Sequence, residues 1–140
     1  MKKALIISSS YYKNFEKNLI KGAVKTLKKK SFKFDIFSVK GSFEIPQILN
    51  ILLLKKKYNF AIALGCIVKG KTNHHKSIAF SVSKKLLDLS IKHKIPISNG
   101  IVESSNLTIA KDRCDPLKFD RGGEAALSGI SILEALKGNR

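Results

Sequence analysis

The sequence predicts an α/β layer sandwich in one domain over residues 1–140, with a four-stranded parallel sheet and helices on both of its faces. Three observations lead there. Short apolar runs of strand length alternate with stretches striped at helical spacing, in the order β-α-β-α-β-α-β-α-α. The run from Tyr58 to Val68 is apolar on both faces, as strands inside parallel sheets are. A chain of 140 residues with 44% hydrophobic content has enough apolar material for one core. Right-handed crossovers then place helices on both sides of the sheet.

Lys3 to Ser9 (KALIISS) is a short apolar strand that runs out into Ser10–Tyr12. Asn14 to Lys30 is helical, because Phe15, Leu19, Ile20, Ala23, Val24 and Leu27 recur at three- and four-residue spacing. Phe32 to Val39 alternates as a strand does, with Phe32, Phe34, Ile36 and Ser38 on one side. Gly41–Pro46 (GSFEIP) is a loop, and Pro46 suits the first turn of the next helix, striped by Ile48, Leu49, Leu52 and Leu53. The strand ending at Val68 leads through a polar loop, Lys69–Asn73, into a helix over His74–Lys94 striped by Ile78, Val82, Leu86 and Leu89. Ile95 to Val102 is the fourth strand, and Asn106 reads as the N-cap of a short helix through Arg113. Asp115–Gly123 reads as a break and Glu124–Lys137 as a last helix, apolar nearly all round, with small residues at Ala125, Ala126, Ser128 and Gly129. A terminal helix apolar on two faces packs against more than its own sheet, which predicts a subunit interface.

The formal net charge of +17 raises a nucleic-acid partner, but only Arg113, Arg121 and Arg140 among the basic residues are arginines, the side chain that base and phosphate clamps favour. The lysine runs Lys28–Lys30 and Lys55–Lys57 fall at the ends of two predicted helices, where they complement the helix dipole. The expectation is no nucleic acid. No apolar run approaches a membrane span, and Ala4–Ile7 is too short for a signal-peptide core, so a cytoplasmic protein is expected. Cys66 and Cys114 form no C-x-x-C pattern, which predicts reduced thiols and no metal site.

In a parallel sheet the loops after each strand gather at one edge. Here they are Ser8–Tyr12, Lys40–Glu44, Lys69–His74 and Asn99–Asn106. Tyr11 offers a flat face for a ring, and Ser42, Phe43 and Glu44 offer backbone N–H groups, an aromatic and a carboxylate. Lys71, Thr72 and the helix start at His74 suit a phosphate, and the His74 imidazole suits proton transfer. Each has a plainer role: Tyr11 covering the sheet edge, Glu44 as a first-turn acid, His74 as a surface residue. Convergence of four such loops favours the functional one. Gly65 to Thr72 (GCIVKGKT) also matches the phosphate-loop pattern letter for letter. Cys66, Ile67 and Val68 extend the strand, however, and β-branched residues resist the looping backbone that such a cradle needs. No apolar strand ends in an aspartate to hold magnesium, so an NTPase is rejected.

GSFEIP at Gly41–Pro46, ALGCIVKGKTNHH at Ala63–His75, PISNGIV at Pro96–Val102, AKDR at Ala110–Arg113 and DRGGEAAL at Asp120–Leu127 together resemble the 6,7-dimethyl-8-ribityllumazine synthase family, in order and spacing, over nearly the whole chain. The resemblance implies a flavodoxin-like three-layer sandwich, pentameric assembly with sites between adjacent subunits, and a reaction without metal or cofactor. The amine of 5-amino-6-(D-ribitylamino)uracil condenses with the ketone of 3,4-dihydroxy-2-butanone 4-phosphate; phosphate is eliminated, the ring closes and water is lost. That is the penultimate step of riboflavin biosynthesis.

The resemblance also implies roles. Tyr11 stacks on the pyrimidine, and Ser42, Phe43 and Glu44 bind the ribityl chain. Cys66, Ile67 and Val68 flank the heterocycle through backbone groups; Lys71, Thr72 and Arg113 take the phosphate; His74 transfers protons. Asn99 stands where many members carry a phenylalanine that stacks on the substrate from the neighbouring subunit. Asp115–Phe119 lacks the glycine-rich turn of shell-forming members, so a pentamer or a pair of pentamers is expected rather than a sixty-subunit shell.

Overall fold

The structure, a computed structural model, describes residues 2–138. Its elements are β1 (Lys3–Ser9), α1 (Lys13–Lys29), β2 (Lys33–Val39), a 3-10 turn at Ser42–Glu44, α2 (Ile45–Lys55), β3 (Phe60–Val68), α3 (His74–His93), β4 (Ile97–Ser104), α4 (Leu107–Cys114) and α5 (Arg121–Gly138). The strands pair in parallel in the order β2-β1-β3-β4. After β1 the chain turns to one side for β2 and then to the other for β3. The crevice where such an order reverses, at the carboxyl ends of β1 and β3, is where open α/β sheets take ligands.

Alternation along the strands builds two cores. Ala4, Ile6, Ile62 and Leu64 face Leu19, Ala23 and Leu27 of α1 and Ala126 and Ile130 of α5. Leu5, Ile7, Ala61 and Ala63 face Ile45 and Leu49 of α2 and Val82, Leu86 and Leu89 of α3. Phe60 to Ile67 is buried throughout, as its two-sided apolar pattern predicts. Each large aliphatic side chain so removed from water contributes about 1.5–3 kcal/mol. The lysine runs do end helices: Lys28 and Lys29 lie in the last turn of α1, and Lys55 in that of α2.

Several boundaries differ from the sequence expectation, by one or two residues at most of them and with more consequence at three. The Gly41–Pro46 loop contains a 3-10 turn at Ser42–Glu44. β4 starts at Ile97 and continues through Glu103 and Ser104, which pair with Ile67 and Val68; polar residues are tolerated where the strand emerges at the sheet edge. α5 starts at Arg121, so Gly122 and Gly123 lie in its first turn instead of breaking the chain. Asp120 caps that turn, its Oδ1 accepting the Gly123 N–H at 3.1 Å. A Cβ on Gly122 would run into the Leu19 backbone, so the glycine is there for close approach of α5 to α1.

Candidate active site

A cavity of about 460 Å³ opens at the carboxyl ends of β1 and β3. Of the residues singled out in the sequence, Tyr11, Ser42, Phe43, Cys66, Ile67, Val68, Thr72 and His74 line it. Tyr11 stands exposed on the turn between β1 and α1, edge-on to Tyr12 with ring centroids 4.9 Å apart. Tyr12 packs in turn on Phe15 of α1, which holds the aromatic rim against the helix. Ser42 is buried in the 3-10 turn, its Oγ 3.4 Å from that of Ser9, whereas Phe43 beside it is exposed.

Cys66, Ile67 and Val68 are the last residues of β3, in the ladder with β4, so the phosphate-loop pattern is strand here and not a cradle. Hydrogen bonding with the Cys114 thiol, then burial, push the Cys66 thiol well above the usual thiol range. It stays protonated and offers no nucleophile. The loop then bends at Lys71 and Thr72, turns at Asn73 and enters α3 at His74, which is exposed. The Thr72 hydroxyl accepts the His74 N–H at 3.2 Å.

Four of the predicted residues do not line this cavity. Glu44 closes the 3-10 turn, and Lys71 is exposed on the loop. The Asn99 side chain is held within the chain, donating to Ser83 Oγ at 3.0 Å and accepting the Ile101 N–H at 3.0 Å. Arg113 lines a second hollow of about 450 Å³ with Arg121, Glu103, Glu124 and Phe119. There its guanidinium donates to the Glu103 carbonyl at 3.1 Å, and that of Arg121 to the Asn99 carbonyl at 3.1 Å. Among the described residues no group of three or more His, Cys, Asp or Glu side chains is placed to hold a metal ion.

A family model described as 6,7-dimethyl-8-ribityllumazine synthase matches residues 1–137. The chain belongs to the 6,7-dimethyl-8-ribityllumazine synthase family. A relative of that name from Wigglesworthia glossinidia brevipalpis is 38% identical over 139 residues, covering 96% of this chain and 90% of the other. One from Buchnera aphidicola subsp. Baizongia pistaciae is 37% identical over 140 residues, covering 96% and 88%. One from Limosilactobacillus reuteri is 33% identical over 136 residues, again covering 96% and 88%.

In this family member the first cavity has an aromatic rim, a buried serine, the end of an interior strand and a histidine at a helix start. The second hollow has two guanidinium groups and no carboxylate-free wall, since Glu103 and Glu124 share it. Tyr12, His75 and Ile78 line the first cavity without having been singled out. Tyr12 was signalled by its place beside Tyr11, and His75 by its place beside His74. Ile78 carried only the signal of a core stripe.

Proposed function

We propose that this chain condenses 5-amino-6-(D-ribitylamino)uracil with 3,4-dihydroxy-2-butanone 4-phosphate to give 6,7-dimethyl-8-ribityllumazine, phosphate and water. The match of the family over residues 1–137 carries this reading. The amine nitrogen of the pyrimidine adds to the ketone carbon, and loss of water leaves an imine. Elimination of phosphate breaks the C–O bond, attack of the second nitrogen closes the ring, and a second water leaves. His74 gives and takes protons at the carbonyl oxygen and the nitrogens, at the mouth of the cavity where it is exposed. Tyr11 stacks on the pyrimidine, Ser42, Phe43 and Glu44 hold the ribityl chain, and Cys66–Val68 present backbone groups to the heterocycle. Lys71 and Arg113 neutralise the leaving phosphate, and the Thr72 hydroxyl donates a hydrogen bond to it. Because the uncatalysed condensation is feasible, holding the two reactants together supplies much of the rate.

Arg113 and the cavity lie in separate hollows of one chain, which supports a site completed by a second copy. The outer face of α3 exposes Phe80, Leu87 and Ile91, and α5 exposes Leu127, Ile132 and Leu136. Such faces suit subunit contacts, and the reading is a pentamer or a pair of pentamers. Among the described residues no helix is long and apolar enough to cross a membrane. The unbridged thiols Cys66 and Cys114 suit a reducing cytoplasm.

The test is an absorbance assay with both substrates and no metal. Lumazine forming at a rate proportional to protein supports the reading. No product from folded, assembled protein overturns it.

A further inference from the structure

His75 is the buried titratable group left without a task. It follows His74 in the first turn of α3, lines the substrate cavity, and its side chain is 6% exposed. Its Nε2 lies 3.8 Å from Oε2 of Glu103 on β4. Its Nδ1 is buried and has no hydrogen-bond partner among the described residues. Buried polar atoms are almost always paired, and an unpaired one in the wall of a cavity points to a partner that arrives with the ligand.

Glu103 decides which nitrogen is left over. A carboxylate beside Nε2 favours the proton there, and in that tautomer Nδ1 keeps a lone pair and accepts. Glu103 also reaches the other half of the site, since its backbone carbonyl receives the Arg113 guanidinium. An acceptor needs a donor. A phosphate dianion offers none, whereas the amino group and ribityl hydroxyls of the pyrimidine offer several.

We propose that His75 binds substrate, its Nδ1 accepting a hydrogen bond from an N–H or O–H of the ribitylaminopyrimidine, and that Glu103 is a positioning residue that fixes the imidazole tautomer. This rests on the reaction proposed above.

The two imidazole nitrogens can be replaced separately. In His75→Asn the amide stands near the place of Nδ1, in His75→Gln near that of Nε2, and His75→Phe keeps a ring without either. His75→Gln and His75→Phe raise KM for the pyrimidine about tenfold, the loss of one hydrogen bond, while His75→Asn stays within roughly threefold of the wild type. KM for the butanone phosphate does not move. Glu103→Gln raises the pyrimidine KM in the wild type but adds nothing to His75→Gln, because it acts through the same nitrogen. A second readout needs no variant and no turnover: on the intact protein the ¹⁵N resonance of His75 Nδ1 shifts when the ribitylaminopyrimidine is added without the butanone phosphate, and not with inorganic phosphate. Equal pyrimidine KM values across the three His75 variants, or an unmoved Nδ1 resonance with the ribitylaminopyrimidine bound, overturn the proposal. A wild type that makes no lumazine overturns the assigned reaction instead. The resonance then decides for His75 alone: a shift keeps it as a ligand contact and no shift removes it.

Discussion

The Thr72 hydroxyl accepts the backbone N–H of His74 at 3.2 Å, so a loop residue two positions ahead of α3 fixes where the histidine leaves the loop. This satisfies one of the open donors at the start of α3. Thr72→Val keeps the shape and removes the acceptor. The expected cost is about 1 kcal/mol of stability, read as a lower Tm. If the hydroxyl also takes the phosphate, as proposed above, KM for the butanone phosphate should rise several-fold, about the worth of one hydrogen bond. Thr72→Ser should recover most of both. A valine variant with unchanged Tm and KM would remove Thr72 from either role.

At the opposite edge of the sheet Tyr58 donates to Asp35 at 2.6 Å, and Lys3 pairs with the same carboxylate at 3.1 Å. These two hydrogen bonds, that from Tyr58 first, hold the Asp35 carboxyl below its ordinary value. The native state therefore prefers the ionised form more than the unfolded chain does. The stabilisation is present above the unfolded carboxylate value of about 3.9 and is lost as pH falls through the lower folded value. Asp35→Asn should lower Tm at neutral pH, and the gap to the wild type should close on the acid side. Thermal melts from pH 7 to pH 3 check this; a gap that widens toward acid would contradict the sign.

The parts of the fold that could be read from residues alone are those set by burial on a fixed period. β3 was legible because a central parallel strand meets apolar layers on both sides, and Phe60 to Ile67 does so throughout. The start of α5 was not. Gly122-Gly123 looks like a breaker in sequence, and only the crossing with α1 at Leu19 shows why glycine is needed inside the helix. The small patch on α5 likewise faces inward, except at Ser128, which is exposed. Ala125, Ala126 and Gly129 are buried, with Gly129 against Phe60, while Leu127, Ile132 and Leu136 form the exposed apolar face. In the site, Tyr11, Ser42 and His74 could be grouped in advance because parallel topology brings loops after successive strands to one edge. The separate hollow of Arg113 could not, since it depends on where α4 settles beside β4. The burial of His75 depends on the rotation of α3 about its axis, which adjacent residues in a sequence do not reveal.

Phe80, Leu87 and Ile91 lie seven and four residues apart on α3 and are 71%, 66% and 76% exposed, a stripe left uncovered by the described residues. If this stripe joins copies of the chain, a charge at its centre opposes assembly without touching the core. Leu87→Glu should shift the native mass from pentamer toward monomer while leaving helix content unchanged. Burying an unpaired carboxylate at an interface costs several kcal/mol, enough to dissociate a modest contact. An unchanged native mass would move the contact to another face, with the exposed side of α5 next to be tested.

His74 and Arg113 line different hollows of one chain, and a site made by two copies needs only one of them from each. Alone, His74→Ala should lower kcat by roughly a hundredfold or more with little change in KM, as removal of a proton-transfer group does. Arg113→Ala should chiefly raise KM for the butanone phosphate, about tenfold or more for a charge-assisted pair. Unfolded together at equal amounts and refolded, the two variants form mixed rings. In a ring where each site joins one copy's cavity to its neighbour's Arg113, about a quarter of the sites then hold both intact residues. Activity should rise well above the mean of the separate variants. If both residues served a site within one chain, every site would lack one of them, and the mixture would be no more active than that mean.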